Sequence, residues 1–217
     1  MNGIMDAVCQ VCNKVRNNSK RGSSFRNLLA QLRREFKRQY FAIKIKSTRM
    51  ATLDHEEFYV NAYYDPEEDS QREVPIEVIV YHNFDIEIDW DTTHITELLI
   101  QIFDAIVHEF KHQRQSRKRN FKTYWYDTSY LDDPDEIDAY SLSIAIELCR
   151  RLGKYRALRY MRQFNSLSKL KLQDQLVSPN LHAYVSEFGT MPNPIIKLLA
   201  KKVYIRLQKV DTDCIFV

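Results

Sequence analysis

The sequence predicts an α+β fold, and two changes of hydrophobic period predict it. Between residues 41 and 88 apolar side chains recur at every second position, the spacing of half-buried strands. From 24 to 40, and again after Trp90, they recur at every third or fourth position, the spacing of helices with one buried face. A third observation works by exclusion. The 217-residue chain holds only 4 Gly, none in a GxGxxG or GxxxxGK pattern, which disfavours folds built on glycine-rich phosphate loops. With 44% hydrophobic and 28% charged residues the chain suits one large domain, or one domain with appendages, around a real core.

Residues 1–24 read as a basic N-terminal arm, small and polar, with Asn17-Asn18-Ser19 and Gly22-Ser23-Ser24 as breakers. From Ser24, a capping residue, Phe25, Leu28, Leu29, Leu32, Phe36 and Tyr40 mark an amphipathic helix. Alternation then predicts strands around Phe41/Ile43/Ile45, Phe58/Val60/Ala62, Val74/Ile76/Val78/Val80 and Phe84/Ile86/Ile88, with Asp65-Pro66 and the acids after it as a loop. The result is a small, antiparallel-rich sheet of three or four strands, expected to pack on the helix that follows Trp90. A helix is expected from Asp91-Thr92-Thr93 to about Arg117, with Ile95, Leu98, Leu99, Ile102, Ile106 and Phe110 inward. After a loop rich in Tyr and Trp, Asp133-Pro134-Asp135-Glu136 opens a helix that ends near Gly153. Further helices are expected at about 154–172, 181–188 and 193–208.

Charge is segregated behind a net +3. Residues 1–50 carry 12 basic and 2 acidic residues, 51–104 carry 1 and 15, and 105–217 carry 19 and 12. Such asymmetry bears on partners and steering more than on fold. Two basic stretches stand out, Arg114–Lys122 and Arg150–Arg162; solvated helix faces explain them best, and nucleic acid is the weaker reading. Four cysteines do not make a disulfide framework, and a reducing compartment fits them. Cys9-Gln10-Val11-Cys12 is a lone CxxC with no second pair at zinc-ribbon spacing. Neither a signal peptide nor a membrane span is expected.

The strongest chemical signal is His108-Glu109-Phe110-Lys111-His112. On a helix, positions four apart lie one turn up the same face, so both imidazoles can reach one metal ion. Neutral imidazole suits zinc, which lowers the pKa of a bound water to about 7. Glu109 lies three before His112 and overlaps that face. It is the candidate general base, taking the water's proton and passing it to a leaving amine. Asp104, one turn before His108, is a candidate to orient a histidine.

Two imidazoles do not complete a catalytic zinc site, which usually takes three protein ligands. The extended metzincin pattern is absent, because Gln113-Arg114-Gln115-Ser116-Arg117 follows His112. The third ligand must come from a second helix, and the stretch 130–140 offers Asp132, Glu136 and Asp138. Glu136 has a rival role, since with Asp133 it makes a capping-box pattern.

An HExxH helix followed by Tyr130-Leu131-Asp132-Asp133-Pro134-Asp135-Glu136-Ile137-Asp138-Ala139-Tyr140 resembles the gluzincin metallopeptidases. It is most similar to the compact ImmA/IrrE-type peptidases and to HExxH proteins of tailed bacteriophages. The resemblance covers about residues 105–145. It implies a zincin-like core, expected over 25–153, with residues 154–217 as a helical extension packed on it. It implies zinc held by His108, His112 and Glu136, with Glu109 as the catalytic base. The expected partner is a peptide or protein substrate, laid along an edge strand at 74–81 or 84–88; the acids nearby hint at a basic one. Oxyanion stabilisation is open among Tyr124, Tyr126, Tyr130, Tyr140 and His182. The expected place of action is the cytoplasm of a bacterial host, or a virion. The alternative function is a virion or assembly component that keeps the fold and binds neighbouring subunits through the basic arm.

Overall fold

The computed structural model describes residues 2–19, 22–54, 57–122, 130–164, 177–189 and 192–210, and the chain divides into two compact units, 1–123 and 124–217. The division falls in the Tyr- and Trp-rich loop, upstream of the boundary expected at Gly153. The fold class is α+β, with helices dominating.

Unit 1 begins with helix α1, Asn2–Asn18. This corrects the expectation of a coreless arm over 1–24. Met5, Val8, Cys9, Val11, Cys12 and Val15 are all buried, because α1 packs on α2 (Phe25–Arg38) and α4 (Thr92–Lys118). A fully buried aliphatic side chain is worth about 1.5–3 kcal/mol, enough for a few of them to hold a helix of polar composition. The breakers at 17–24 are real, but they end this helix; they do not prevent it. Lys14 reaches Glu35 of α2 at 2.7 Å and neutralises a buried carboxylate.

Strands β2 (Ile43–Arg49), β3 (Phe58–Tyr64) and β4 (Ile76–His82) form one sheet in the order β2-β4-β3. β2 runs parallel to β4 and β3 antiparallel to it. β4 is therefore the centre, and Ile76, Val78 and Val80 are fully buried. Between β3 and β4, Asp65 caps the short helix α3 (Pro66–Ser70), whose Pro66 sits in the first turn. β1 (Ser23–Ser24) and β5 (Asp89–Trp90) make a two-residue antiparallel pair.

The strand expected at 84–88 is absent. The Asp85 carboxylate accepts the Glu87 N–H at 3.0 Å and its carbonyl accepts the Ile88 N–H at 3.1 Å, so a turn takes the backbone groups a ladder would need. Its aromatic Phe84 still packs, edge-on to Phe25 and Trp90.

Unit 2 is helical: a 3-10 turn at Tyr130–Asp132, then α5 (Pro134–Leu152), α6 (Lys154–Gln163), α7 (Pro179–Phe188) and α8 (Pro194–Lys209). Its core joins Ile144 and Leu148 of α5, Met161 of α6, Tyr184 of α7 and Leu199 and Val203 of α8. Gly153 breaks α5 from α6 at φ 75, a conformation that carries little penalty only for glycine. Residues 165–176, the second half of the helix expected at 154–172, lie outside the described residues.

Candidate metal centre

α4 positions the histidines. Asp91 caps it by accepting the His94 N–H at 2.9 Å, and Ile95, Leu98, Leu99, Ile102 and Ile106 bury one stripe. Its last two turns have a separate anchor. Asp69 of α3 is buried and receives Arg117 Nε at 2.8 Å, Arg117 Nη2 at 2.6 Å, Gln113 Nε2 at 3.1 Å and the Tyr64 hydroxyl at 2.9 Å. Burial would raise this carboxyl, but Arg117, Tyr64 and Gln113 outweigh it and hold it below the usual carboxylate range. The end of α4 that bears His112 is thereby fixed to the sheet side of unit 1. Sequence reading left Asp69 in an acidic loop; Asp65-Pro66, a cap followed by a first-turn proline, was the signal for the helix that carries it.

His108 Nε2 and His112 Nε2 lie 3.0 Å apart. Two nitrogens on one tetrahedral zinc, at metal distances of about 2.0–2.1 Å, stand about 3.3 Å from each other. The imidazoles thus present the spacing of a shared ion, and zinc suits the donor types. Glu109, between them in sequence, is buried.

Of the three expected ligands, His108 and His112 belong to unit 1 and Glu136 to unit 2, and none of the three is exposed. Glu136 lies in the first turn of α5, where Asp133 caps through the Asp135 N–H at 2.7 Å. Of the substitutes, Asp138 is committed elsewhere, pairing with Lys202 and Arg206 at 2.9 Å each.

Among the groups considered for an oxyanion, Tyr124 and Tyr126 lie outside the described residues. His182 sits on α7, 3.5 Å from Ser186. Tyr130 stands beside Glu136: desolvation, a hydrogen bond with Tyr140 and the Glu136 charge all push its hydroxyl up, so it stays protonated. The residue as a whole remains 62% exposed.

Asp104, the candidate to orient a histidine, also lies near enough to Cys12 to disfavour its thiolate. Cys9 and Cys12 are buried and not joined in a disulfide, and burial pushes the Cys12 thiol up. Reactive CxxC thiols need the reverse, a depressed pKa. Neither strand proposed for a substrate is an edge, since β4 is central and 84–88 is a turn. The true edges are β2 and β3, and side chains already engage them. On β3 the Val60 N–H donates to Gln101 Oε1 at 3.1 Å and the Ala62 N–H to Asn61 Oδ1 at 2.9 Å. On β2 the Ile45 carbonyl accepts from Arg33 Nε at 2.8 Å.

The chain matches no protein-family model, no curated protein and no solved structure. Among the described residues no helix is long and apolar enough to cross a membrane.

Proposed function

We propose that the protein is a zinc-dependent peptidase of the compact gluzincin type, with His108, His112 and Glu136 as metal ligands and Glu109 as general base. The observation that carries this reading is the approach of two imidazole nitrogens on one helix to 3.0 Å, with the buried Glu109 between them in sequence; the Glu136 ligand comes from the resemblance. When bound, zinc supplies Lewis acidity, polarising a water and a substrate carbonyl. Glu109 takes the water's proton and returns it to the leaving amine. Tyr130, a protonated phenol beside Glu136, is the described side chain best suited to donate to the developing oxyanion. Because side chains engage both sheet edges, substrate would have to displace those bonds or bind without strand addition. The reading carries with it a zincin-like fold and action inside a bacterium, as a bacterial or a phage-encoded protein.

The alternative, a virion or assembly component, rests on the charge segregation and on the basic arm. Residues 2–18 are a helix with a buried apolar face, so the arm no longer supports it, and the charge segregation remains.

The test is metal analysis of the purified chain, with hydrolysis of a mixed peptide library by the native protein and Glu109→Gln. About one zinc per chain in both, with hydrolysis at least about a hundredfold weaker in the variant, is expected. Metal-free protein without hydrolysis would sink the proposal.

A further inference from the structure

The second basic stretch acquires a partner helix in the folded chain. α6 (KYRALRYMRQ) and α8 (PIIKLLAKKVYIRLQK) contain nine Lys or Arg and no acidic residue, and they pack against each other within unit 2. They run antiparallel, since Lys154 Nζ at the start of α6 donates to the Val210 carbonyl just beyond α8 at 2.9 Å. Arg162, at the end of α6, donates through Nε to the Tyr204 hydroxyl at 2.9 Å, with its guanidinium carbon 5.7 Å from that ring's centroid.

That contact joins two helical stripes. On α6, Tyr155, Arg159 and Arg162 follow at steps of four and three; on α8, Lys197, Lys201 and Tyr204 do the same. Because the helices are antiparallel and meet at Arg162 and Tyr204, the stripes lie end to end. Each spans about 10 Å of helix, and together they cover roughly six nucleotides at the spacing of a stacked strand.

Among the described residues the charges on this strip meet no carboxylate. Lys202 and Arg206 pair with Asp138, on the side that faces α5. Among the described residues Arg156, Arg159, Lys197, Lys201 and Lys209 pair with no carboxylate, and Arg159, Lys197 and Lys201 are exposed. Tyr155 is 82% exposed, an aromatic ring standing free amid cations. Fixed cations interleaved with presented rings suit a single nucleic-acid strand, with phosphates against the cations and an unstacked base against the ring. An anionic membrane fits less well. The exposed apolar residues on α8 are Leu198 and Ile205, seven apart and about 40% exposed, too little to anchor an amphipathic helix.

We infer that the α6–α8 strip binds single-stranded nucleic acid, through Arg159, Arg162, Lys197 and Lys201 with Tyr155 as a stacking platform. The inference stands apart from the metal site, and its test is run on the full chain in the presence of chelator. Fluorescence anisotropy of a labelled 20-nucleotide oligothymidylate is followed from 50 to 200 mM salt. Four phosphate contacts give a log–log slope of about −3, a loss of about fiftyfold over that range. The double variant R159E/K201E should lose binding by more than tenfold. Tyr155→Ala should lose about tenfold with the salt slope unchanged. Reversal of the other basic run, K118E/K122E, should change little. All the substituted residues are exposed or partly exposed, and circular dichroism checks that the fold persists. A flat salt response, binding lost with K118E/K122E but kept in R159E/K201E, or association with phosphatidylglycerol vesicles and not with the oligonucleotide would each overturn the assignment.

Discussion

Two pairs of metal-seeking side chains stand about one helical turn apart in this chain, and their surroundings are opposite. Cys9 and Cys12 lie on α1, both buried, with burial raising the Cys12 thiol and Cys9 Sγ taking a hydrogen bond from Asn13 at 3.4 Å. His108 and His112 lie on α4 with their Nε2 atoms 3.0 Å apart, and the proposed site adds a carboxylate to them. A metal site needs donors that can shed protons, a shared focus and a further ligand. Burial works against proton loss from Cys12, and the cysteine pair belongs to no group of three potential ligands among the described residues; helical spacing alone does not supply them. The comparison teaches that sequence spacing nominates a pair, while dielectric and the third donor decide.

The largest expected effect breaks the comparison directly. His112→Ala should lower zinc affinity by more than about a hundredfold, since even outer-shell partners of a ligand are worth about ten- to a hundredfold. Cys12→Ala should leave zinc content unchanged. Metal analysis of the two variants side by side checks this. Zinc lost from the cysteine variant and kept in the histidine variant would reverse the assignment.

The two pairs also differ in how legible they were. HExxH was readable because its spacing, helix and neighbouring core stripe agreed, and Ser24, Asp91 and Gly153 marked helix ends where they occur. Glu136 came only through resemblance, since a carboxylate three residues after Asp133 is equally a cap. α1 was missed because its cysteines were weighed as chemistry rather than as small apolar residues filling the steps between Met5, Val8, Val11 and Val15. Sheet order was not in the sequence at all. A parallel β2–β4 pair with β3 outside depends on which strands α2 and α4 cover, a tertiary fact that no alternation pattern carries. The strand expected at 84–88 failed for a local reason, the Asp85 turn. The α6–α8 strip was half visible: one basic stretch could be read, but its registration with Tyr204 needed the fold.

A smaller effect sharpens the difference in rigidity between the two helices. The histidine-bearing end of α4 is held by Asp69, whereas α1 relies on apolar burial and Lys14–Glu35. Asp69→Asn keeps the shape but removes the charge opposite Arg117, and should destabilise unit 1 by about 2 kcal/mol, in the range for hydrogen bonds to charged groups. Arg117 is half exposed, which rules out a larger figure. The carboxyl of Asp69 is depressed in the folded chain, so its stabilisation is present above the unfolded carboxyl pKa, near 3.9. It is lost as pH falls through the lower folded value. Urea unfolding between pH 7 and pH 3 should therefore show the native chain converging on Asp69→Asn at the acid end. A constant gap across that range would mean that the bidentate pair does not support the helix end.

The smallest effect concerns Cys12, and it separates a buried apolar residue from a latent ligand. Cys12 is fully buried among the side chains that hold α1 to the rest of unit 1. As a packing residue it loses only a sulfur in Cys12→Ala, for about 1 kcal/mol. Cys12→Ser preserves the volume but places a hydroxyl in an apolar site, for about 1–3 kcal/mol. Serine should therefore be the worse substitute, although it is the closer mimic of a thiol. A thiol kept for metal or redox chemistry would behave differently: both variants would be equally harmless to folding, and the native thiol would react readily. With its pKa raised by burial, Cys12 should instead resist alkylation in the native chain and react only on unfolding. Rapid native alkylation at neutral pH, together with serine tolerated better than alanine, would move Cys9–Cys12 back among the candidate sites and leave spacing, after all, as a sufficient guide.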